Sequence, residues 1–302
     1  SWSVLVEMGN RFPDTFTRNP LLQYRLAYAY RNLNQNEAAD KAAELALQAA
    51  ETASQYHLEV AAHLQHDGLF EWAEFEYRYA AGRFEEEPNE ALRARLYLSE
   101  MLHELERERE AGQLLEDLTQ LAESKPDVLQ ILEDELGREL GKIKSRMYFF
   151  LAQYQAQQGD HQQQQELLEK GFQQDPRDAD VLIAMYRIPE GNETYRETVS
   201  TRIKSAVELF RAELREQTER LRAGKTFEDR ALAQFQLALI NNQLAWLIAN
   251  TEGDFDEALQ CSLNSLKLQP NRSGFLDTLG RCYYAKDDYE NAVKYQRQAV
   301  AL

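Results

Sequence analysis

The 302 residues include only two cysteines, Cys261 and Cys282. Two are too few for a disulfide framework and show no zinc-ligand spacing, so free thiols are expected. Proline is scarce, with seven, and glycine amounts to thirteen; helices therefore meet few breaks. Val, Ile and Thr seldom alternate with polar residues, which removes the pattern of a half-buried sheet. No run of about 18 apolar residues occurs and no basic stretch leads into an apolar block near the start, so neither a membrane span nor a signal peptide is visible. Positive charge is short as well: 34 Lys+Arg stand against 51 Asp+Glu, a net charge of −17. Such a chain repels phosphate backbones and anionic lipid heads, which argues against nucleic-acid and membrane-surface partners unless a local basic patch overrides the mean. What is abundant is Ala, Leu, Gln, Glu and Arg, with 43% hydrophobic residues overall. That composition predicts an all-α chain with enough apolar mass for a sizeable core, and proteins or peptides as partners.

Within the predicted helices a pattern returns at a fixed interval. Leu244-Ala245-Trp246 is followed by Gly253-Asp254-Phe255-Asp256-Glu257-Ala258 and Pro270. Leu279-Gly280 with Tyr283 is followed by Asp287-Asp288-Tyr289-Glu290-Asn291-Ala292 and Ala299. Ala258 and Ala292 lie 34 positions apart, as do Ala39 and Ala73 upstream. Small residues at such points let two helices cross closely while Leu and Tyr fill the flanks. Further units carry Leu26-Ala27 with Tyr30, Ala39 and Ala46; Val60-Ala61 with Leu64, Phe70, Ala73 and Ala80; and Leu98-Ser99 with Leu102, Ala111 and Leu115, the last after a four-residue insertion around Glu85-Glu86-Glu87-Pro88. A fourth has Tyr148, Leu151-Ala152, Gly159-Asp160, Leu168, Gly171 and Pro176, with Gln164 where a small residue is expected. Gln23 and Arg95 stand where a large aromatic is expected.

These residues resemble the tetratricopeptide repeat, a 34-residue pair of antiparallel helices, and Leu276-Asp277-Thr278-Leu279-Gly280 is similar to a variant common in bacterial proteins. The resemblance implies a right-handed α-solenoid of helix hairpins, with six recognisable units, two of them degenerate. Residues 1–19 read as the end of a preceding repeat and a linker, 20–124 as three units, and 125–176 as an inserted helix plus a degenerate unit. Residues 177–226 read as an irregular unit with a long helix and 227–302 as two further units. Val128, Ile131, Leu132, Leu136 and Leu140 predict the inserted helix, with Gly137 and Gly141 as bends. Ala179 should open a helix that Pro189 and Gly191 stop short, and the apolar positions from Tyr195 to Leu221 predict about seven turns, followed by another long helix from Phe227 to Asn250. Val4, Leu5, Met8 and Pro13, together with a last residue, Leu302, that falls short of the repeat's closing proline, suggest a piece of a longer polypeptide with an apolar terminal face. Self-association through such a terminal repeat is a further expectation.

Few residues offer chemistry. His57, His63 and His66 with Asp67 are metal-ligating types, but His57 falls on a packing position and His66 precedes the Asp67-Gly68 turn, so packing and turn roles outweigh zinc binding. Glu85-Glu86-Glu87 and the acids from Glu104 to Glu110 lack calcium-loop spacing and read as solvated helix faces. Cys261 and Cys282 fall on consecutive helices, where a redox pair competes with simple packing. No phosphate-cradling loop, nucleophile elbow or zinc-protease motif is present, so no enzyme, cofactor or metal is expected. Residues 83–123 hold twelve acids against five arginines. From Thr201 to Lys225 seven basic residues face four glutamates, which reads as a salt-laced helix, Glu216 with Arg220 for example, ahead of a mating surface.

The family resemblance assigns groove-facing positions on each first helix. They fall at Tyr24, Tyr28 and Arg31; at Gln65 and His66; at Glu100 and His103; at Arg146, Phe149 and Gln153; and at Asn242, Trp246, Asn250, Arg281 and Tyr284. Aromatic and amide-rich lining suits a peptide, since Tyr and Trp bring contact area at low rotamer cost while Arg, Asn and Gln serve an extended backbone. Each is about as well suited to filling a gap between units. The lysine and asparagine clamp by which some relatives hold chaperone C-termini is missing here, and an acidic chain does not suit the helical-repeat proteins that read RNA. The expected function is a noncatalytic protein-interaction scaffold; the alternative is a regulatory or substrate-recruiting module of a larger enzyme. The compartment stays open, with the cytoplasm favoured.

Overall fold

The computed structural model describes residues 1–49, 54–189 and 191–301, so Leu302 lies outside the described residues. Among them every regular element is a helix and none is a strand. Two compact units are present, Ser1–Leu151 and Ala152–Leu302. The first contains α1 (Trp2–Arg11), α2 (Pro13–Thr17), α3 (Pro20–Asn32), α4 (Asn36–Ala49), α5 (Ser54–His66), α6 (Phe70–Gly82), α7 (Pro88–Glu104), α8 (Glu108–Ser124) and α9 (Pro126–Gln130). The boundary falls inside α10 (Leu140–Gln158), and the second unit continues with α11 (His161–Gln174), α12 (Ala179–Tyr186), α13 (Glu193–Ala223), α14 (Phe227–Asn250), α15 (Phe255–Leu268), α16 (Ser273–Ala285) and α17 (Tyr289–Val300). The inserted segment expected after Pro126 is α9 running into a π-helical turn at Ile131–Glu135. Gly137, at φ +61°, ends it there, while Gly141 is absorbed into α10 without a bend in its helical run.

Consecutive helices pack as antiparallel hairpins: α3 with α4, α5 with α6, α7 with α8, then α14 with α15 and α16 with α17. Each hairpin turns through a left-handed residue, and that residue keeps the repeat interval. Asn34 and Gly68 are one pair and Gly253 and Asp287 another, all at positive φ; both pairs are 34 apart. Glu106 follows Gly68 by 38 because the four extra residues at Glu85–Pro88 intervene. After the left-handed residue the chain closes the preceding helix with a six-to-one hydrogen bond, Gln35 N to Tyr30 O at 2.9 Å, Leu69 N to Leu64 O at 2.8 Å and Asp288 N to Tyr283 O at 3.0 Å. Such closure satisfies carbonyls that a helix end otherwise leaves bare. The next helix starts on an acceptor: Asp160, Asp254 and Asp288 accept backbone N–H bonds, and Thr226 with Asp229 forms a reciprocal capping box.

Small residues sit where the helices cross. Ala39, Ala73 and Ala258 are wholly buried and Ala292 nearly so. On α16, a Cβ built on Gly280 would lie 3.2 Å from the Ala292 carbonyl oxygen, so only hydrogen fits comfortably at that crossing. On α8, a Cβ on Gly112 would lie 2.6 Å from Leu151 of α10. The degenerate positions are filled by polar side chains: Gln23 is buried with Oε1 unpartnered, Gln164 Oε1 accepts from His161 Nδ1 at 3.1 Å, and Arg95 lies with Cζ 5.9 Å from the Phe84 centroid.

Gly112→Val should therefore lower unfolding stability by about 1–3 kcal/mol through overpacking against Leu151. Gly82→Ala, at the end of α6 with nothing within 4 Å of the added Cβ, should be neutral or stabilising by up to about 1 kcal/mol. Urea denaturation of both variants checks the contrast.

Candidate functional site

In the first unit the first helices α3, α5 and α7 lie side by side. Tyr24 belongs to the interior there, contrary to its expected groove position: it is 1% exposed and its phenol donates to Glu76 Oε1 at 2.5 Å. Glu76, wholly buried on α6, is also 2.5 Å from His57 Nδ1, so one carboxylate ties α3, α5 and α6 together. A buried carboxylate needs such donors, and that demand pulls Tyr24 inward. Burial first and Glu76 second push the Tyr24 phenol far above its usual range, which keeps it protonated and donating.

Tyr28 is 37% exposed and meets the edge of Trp2 at 5.1 Å. Arg31 is held by Glu71 at 2.6 Å and lies 4.5 Å over the Trp72 ring. Gln65 accepts from Tyr77 at 3.1 Å and donates to Glu104 at 3.0 Å, while His66 is exposed at the end of α5. Arg146 forms an ion pair with Glu100 at 2.7 Å and covers Phe149 and Phe150 at 5.0 and 4.8 Å. Phe149 is a second correction: it is 6% exposed because His103 and Phe150 close over it. His103 stacks on Phe150 at 4.7 Å and reaches the buried Glu108 at 2.8 Å. His57 and His63 face Glu76 and the Glu59 carbonyl of its own helix respectively, and no cluster of metal-ligating types forms among the described residues.

In the second unit the corresponding helices are α12, α14 and α16, packed in that order. Trp246 is half-buried and its indole N–H donates to Asp180 Oδ1 at 2.8 Å. Asn250 is the third correction. It is 6% exposed, because it accepts from Arg187 at 2.5 Å and donates to the Trp246 carbonyl at 2.9 Å, a polar stitch at the end of α14. Asn242 is half-buried with Oδ1 shielded and unpartnered, and Arg281 has a shielded, unpartnered Nε. Tyr284 is 53% exposed and meets Tyr289 edge-on at 5.4 Å. Gln153 is half-buried on α10. Gly280, Arg281, Tyr284, Val293, Gln296 and Arg297 are among the residues lining an open cavity of about 490 Å³ between α16 and α17.

Asp180 and Arg187 were not assigned any groove position from the sequence. Asp180 sits on the eight-residue α12 and Arg187 caps its C-terminus; the helix is too short to carry the repeat signature, and only the packing of α12 on α14 brings them beside Trp246 and Asn250. The basic segment of α13 is more engaged than an exposed face: Arg202 pairs with Glu169 at 2.6 Å and Arg211 with Glu257 at 2.5 Å, on α11 and α15, while Glu216 and Arg220 form the expected exposed pair.

The family model described as "Tetratricopeptide repeat" matches residues 22–52, 145–178 and 275–302. The chain contains tetratricopeptide repeats. Its hairpins elsewhere keep the same left-handed turn, at Gly68, Glu106 and Gly253. Similar solved structures include the C-terminal part of a TPR repeat-containing protein from Cytophaga hutchinsonii, at 15% identity and a TM-score of 0.35, covering 92% of this chain and 94% of that one. Others are MamA, at 12% identity and a TM-score of 0.28 over 82% and 90% of the two chains, and a human IFIT1 dimer with PPP-AAAA, at 11% and 0.32 over 99% and 67%. Superpositions this loose say nothing of what the repeats here bind. No curated protein matches the chain in sequence. No helix among the described residues is long and apolar enough to cross a membrane.

Two consequences can be measured. Hydrogen bonds from Arg31 hold the Glu71 carboxyl below its ordinary value, and at Glu74 burial pushes upward but Arg107 and Arg78 outweigh it. These groups bind protons more weakly folded than unfolded, so their contribution is present above the ordinary carboxylate range and is lost as pH falls through the folded values. Thermal stability should thus drop below about pH 5, with a smaller drop in Arg107→Gln than in the wild type. Burial pushes the Cys261 thiol up to about 11 and Cys282 up to about 12, so a disulfide-exchange reagent at about pH 8 should label neither thiol in the native chain and both after unfolding.

Proposed function

We propose that this chain is a noncatalytic scaffold that binds a partner protein or peptide along the first helices of its repeats. The observation that carries the reading is the α12–α14–α16 face. It combines an exposed aromatic, Tyr284, a half-buried indole, Trp246, and an amide acceptor on Asn242 that no group among the described residues satisfies. Buried acceptors are rarely left without a donor, and a bound backbone N–H is a natural one. In the first unit Tyr28 offers a comparable aromatic, but Arg31 and Glu100 are already committed to Glu71 and Arg146. The second unit is therefore the stronger candidate for the peptide groove. Repeats of this kind are interaction modules in the family the sequence resembles.

Selection of a displayed random 12-residue peptide library against the immobilised chain tests the reading. Retained peptides should bind the wild type and lose about ten-fold in affinity on Tyr284→Ala, with circular dichroism unchanged. Retention of none, or affinity for both Tyr284→Ala and Trp246→Ala equal to that for the wild type, would overturn it.

A further inference from the structure

Two surfaces of this chain depart from the pattern of its inner hairpins, and they depart in complementary ways. The first is the outer side of α1. Val4 and Met8, with Phe12 at the C-cap, follow one another at a helical turn, and each is about half exposed. Met8 and Phe12 lie 34 positions before Ala42 and Ala46 of α4, which are buried. Where α4, packed on α3, carries small residues, α1 thus presents a thioether and a phenyl ring. Side chains of that bulk hold a neighbouring helix beyond the close crossing that alanine permits. The stripe needs a wider seat than the flank of an ordinary first helix.

The second surface is the open cavity of about 490 Å³ between α16 and α17. On the preceding hairpin, α14 with α15, the matching side is covered by α16, and the residue 34 positions before Arg281 is the buried Leu247. On α16 and α17 the cavity is lined by Tyr284, Val293 and Val300, all exposed. Arg281 and Arg297 also line it, in place of Leu247 and Leu263 one repeat earlier, and neither forms an ion pair among the described residues. Arg281 lies over the Tyr284 ring with its Nε shielded and unpartnered.

Charge separates these two surfaces from the rest of the chain. Although the net charge is −17, residues 1–19 hold two acids and two arginines, and residues 273–302 hold four acids and four bases. Both surfaces therefore lie on neutral stretches, where the repulsion that keeps acidic copies apart is weakest. Glu7 is the sole acid of α1 and lies one turn after Val4, so it accompanies the apolar stripe wherever that stripe docks.

We infer that a second copy of this chain fills the cavity: the Val4–Met8–Phe12 stripe of one molecule seats between α16 and α17 of another, with Glu7 against Arg281 and Arg297. The contact joins two different surfaces, so each bound pair keeps one of each kind free, and assembly runs on past the dimer instead of closing as a two-fold pair. One helix in one groove covers less than the roughly 1,600 Å² of a standard interface, which places assembly at micromolar concentrations and above. This contact does not depend on peptide binding along α12–α14–α16.

Sedimentation of the 302-residue chain between about 5 and 500 µM tests it. The wild type should reach at least about 1.5 times the monomer mass at the top of that range. Met8→Glu and Val293→Glu each put a charge on one half-exposed side chain, so circular dichroism should match the wild type while each variant alone sediments as a monomer. Mixed in equal amounts, the two should associate again and stop at a dimer, because the intact cavity of one accepts the intact stripe of the other and the remaining surfaces are both blocked. Met8→Lys and Val293→Lys repeat the test with the opposite charge and should behave alike. A wild type that stays monomeric, a variant that associates on its own, or mixtures of both charge types that stay monomeric would overturn the inference.

Discussion

The distance between paired helices is the constraint on which the rest of the molecule depends. Two backbones can approach closely only where neither carries a bulky side chain, and each hairpin supplies that place through one small residue on each helix, such as Gly280 opposite Ala292. Once the crossing is fixed, so are the directions of the side chains around it. Leu and Tyr fill the interior, one row of each first helix turns outward, and the left-handed turn residue returns at the same interval because the helices between successive turns have the same lengths, 14 residues in α4 and α15 and 13 in α5 and α16. The 34-residue spacing is thus a mechanical period as much as a sequence one.

Much of this was legible before any coordinates. The Ala39–Ala73 and Ala258–Ala292 intervals, the short helix stopped near Pro189 and the long helices on both sides of Gly224 all follow from residue type and spacing, because each depends on local sterics. The functional face was less legible. Family positions put Tyr24, Phe149 and Asn250 on the surface, yet each is drawn inside by a partner distant in sequence: Glu76 for Tyr24, His103 for Phe149 and Arg187 for Asn250. A periodic rule knows which way a helix position faces; it does not know what waits there. Arg187 was invisible for the opposite reason, since α12 is too short to carry the signature that would have placed it.

Charge is distributed according to two different needs. Between several helices an arginine meets a glutamate, as in Arg202 of α13 with Glu169 of α11 or Arg211 of α13 with Glu257 of α15, and these half-exposed pairs contribute modestly to stability but help set the register of the helices they join. Inside, Glu76 is the exception that needs Tyr24 and His57 together. At Arg187 and Arg281 the pairing habit lapses, and these guanidiniums are held by an amide and a ring face instead. The same sidechain chemistry serves to fasten helices in one place and to leave valence unspent in another.

The helices on both sides of Gly224 add a mechanical property. Helix α13 has 31 residues and α14 has 24, so at about 1.5 Å per residue they run roughly 46 and 36 Å, against about 20 Å for a 13-residue helix such as α16. Their joined end leaves Phe227 87% exposed and is stiffened by the Thr226–Asp229 box. The pair forms a boom clamped at its base by Arg211 to Glu257 and Arg202 to Glu169. A sideways load at its far end reaches that base magnified by leverage, so anything that grips Phe227 also tugs on the ion pairs of Arg202 and Arg211.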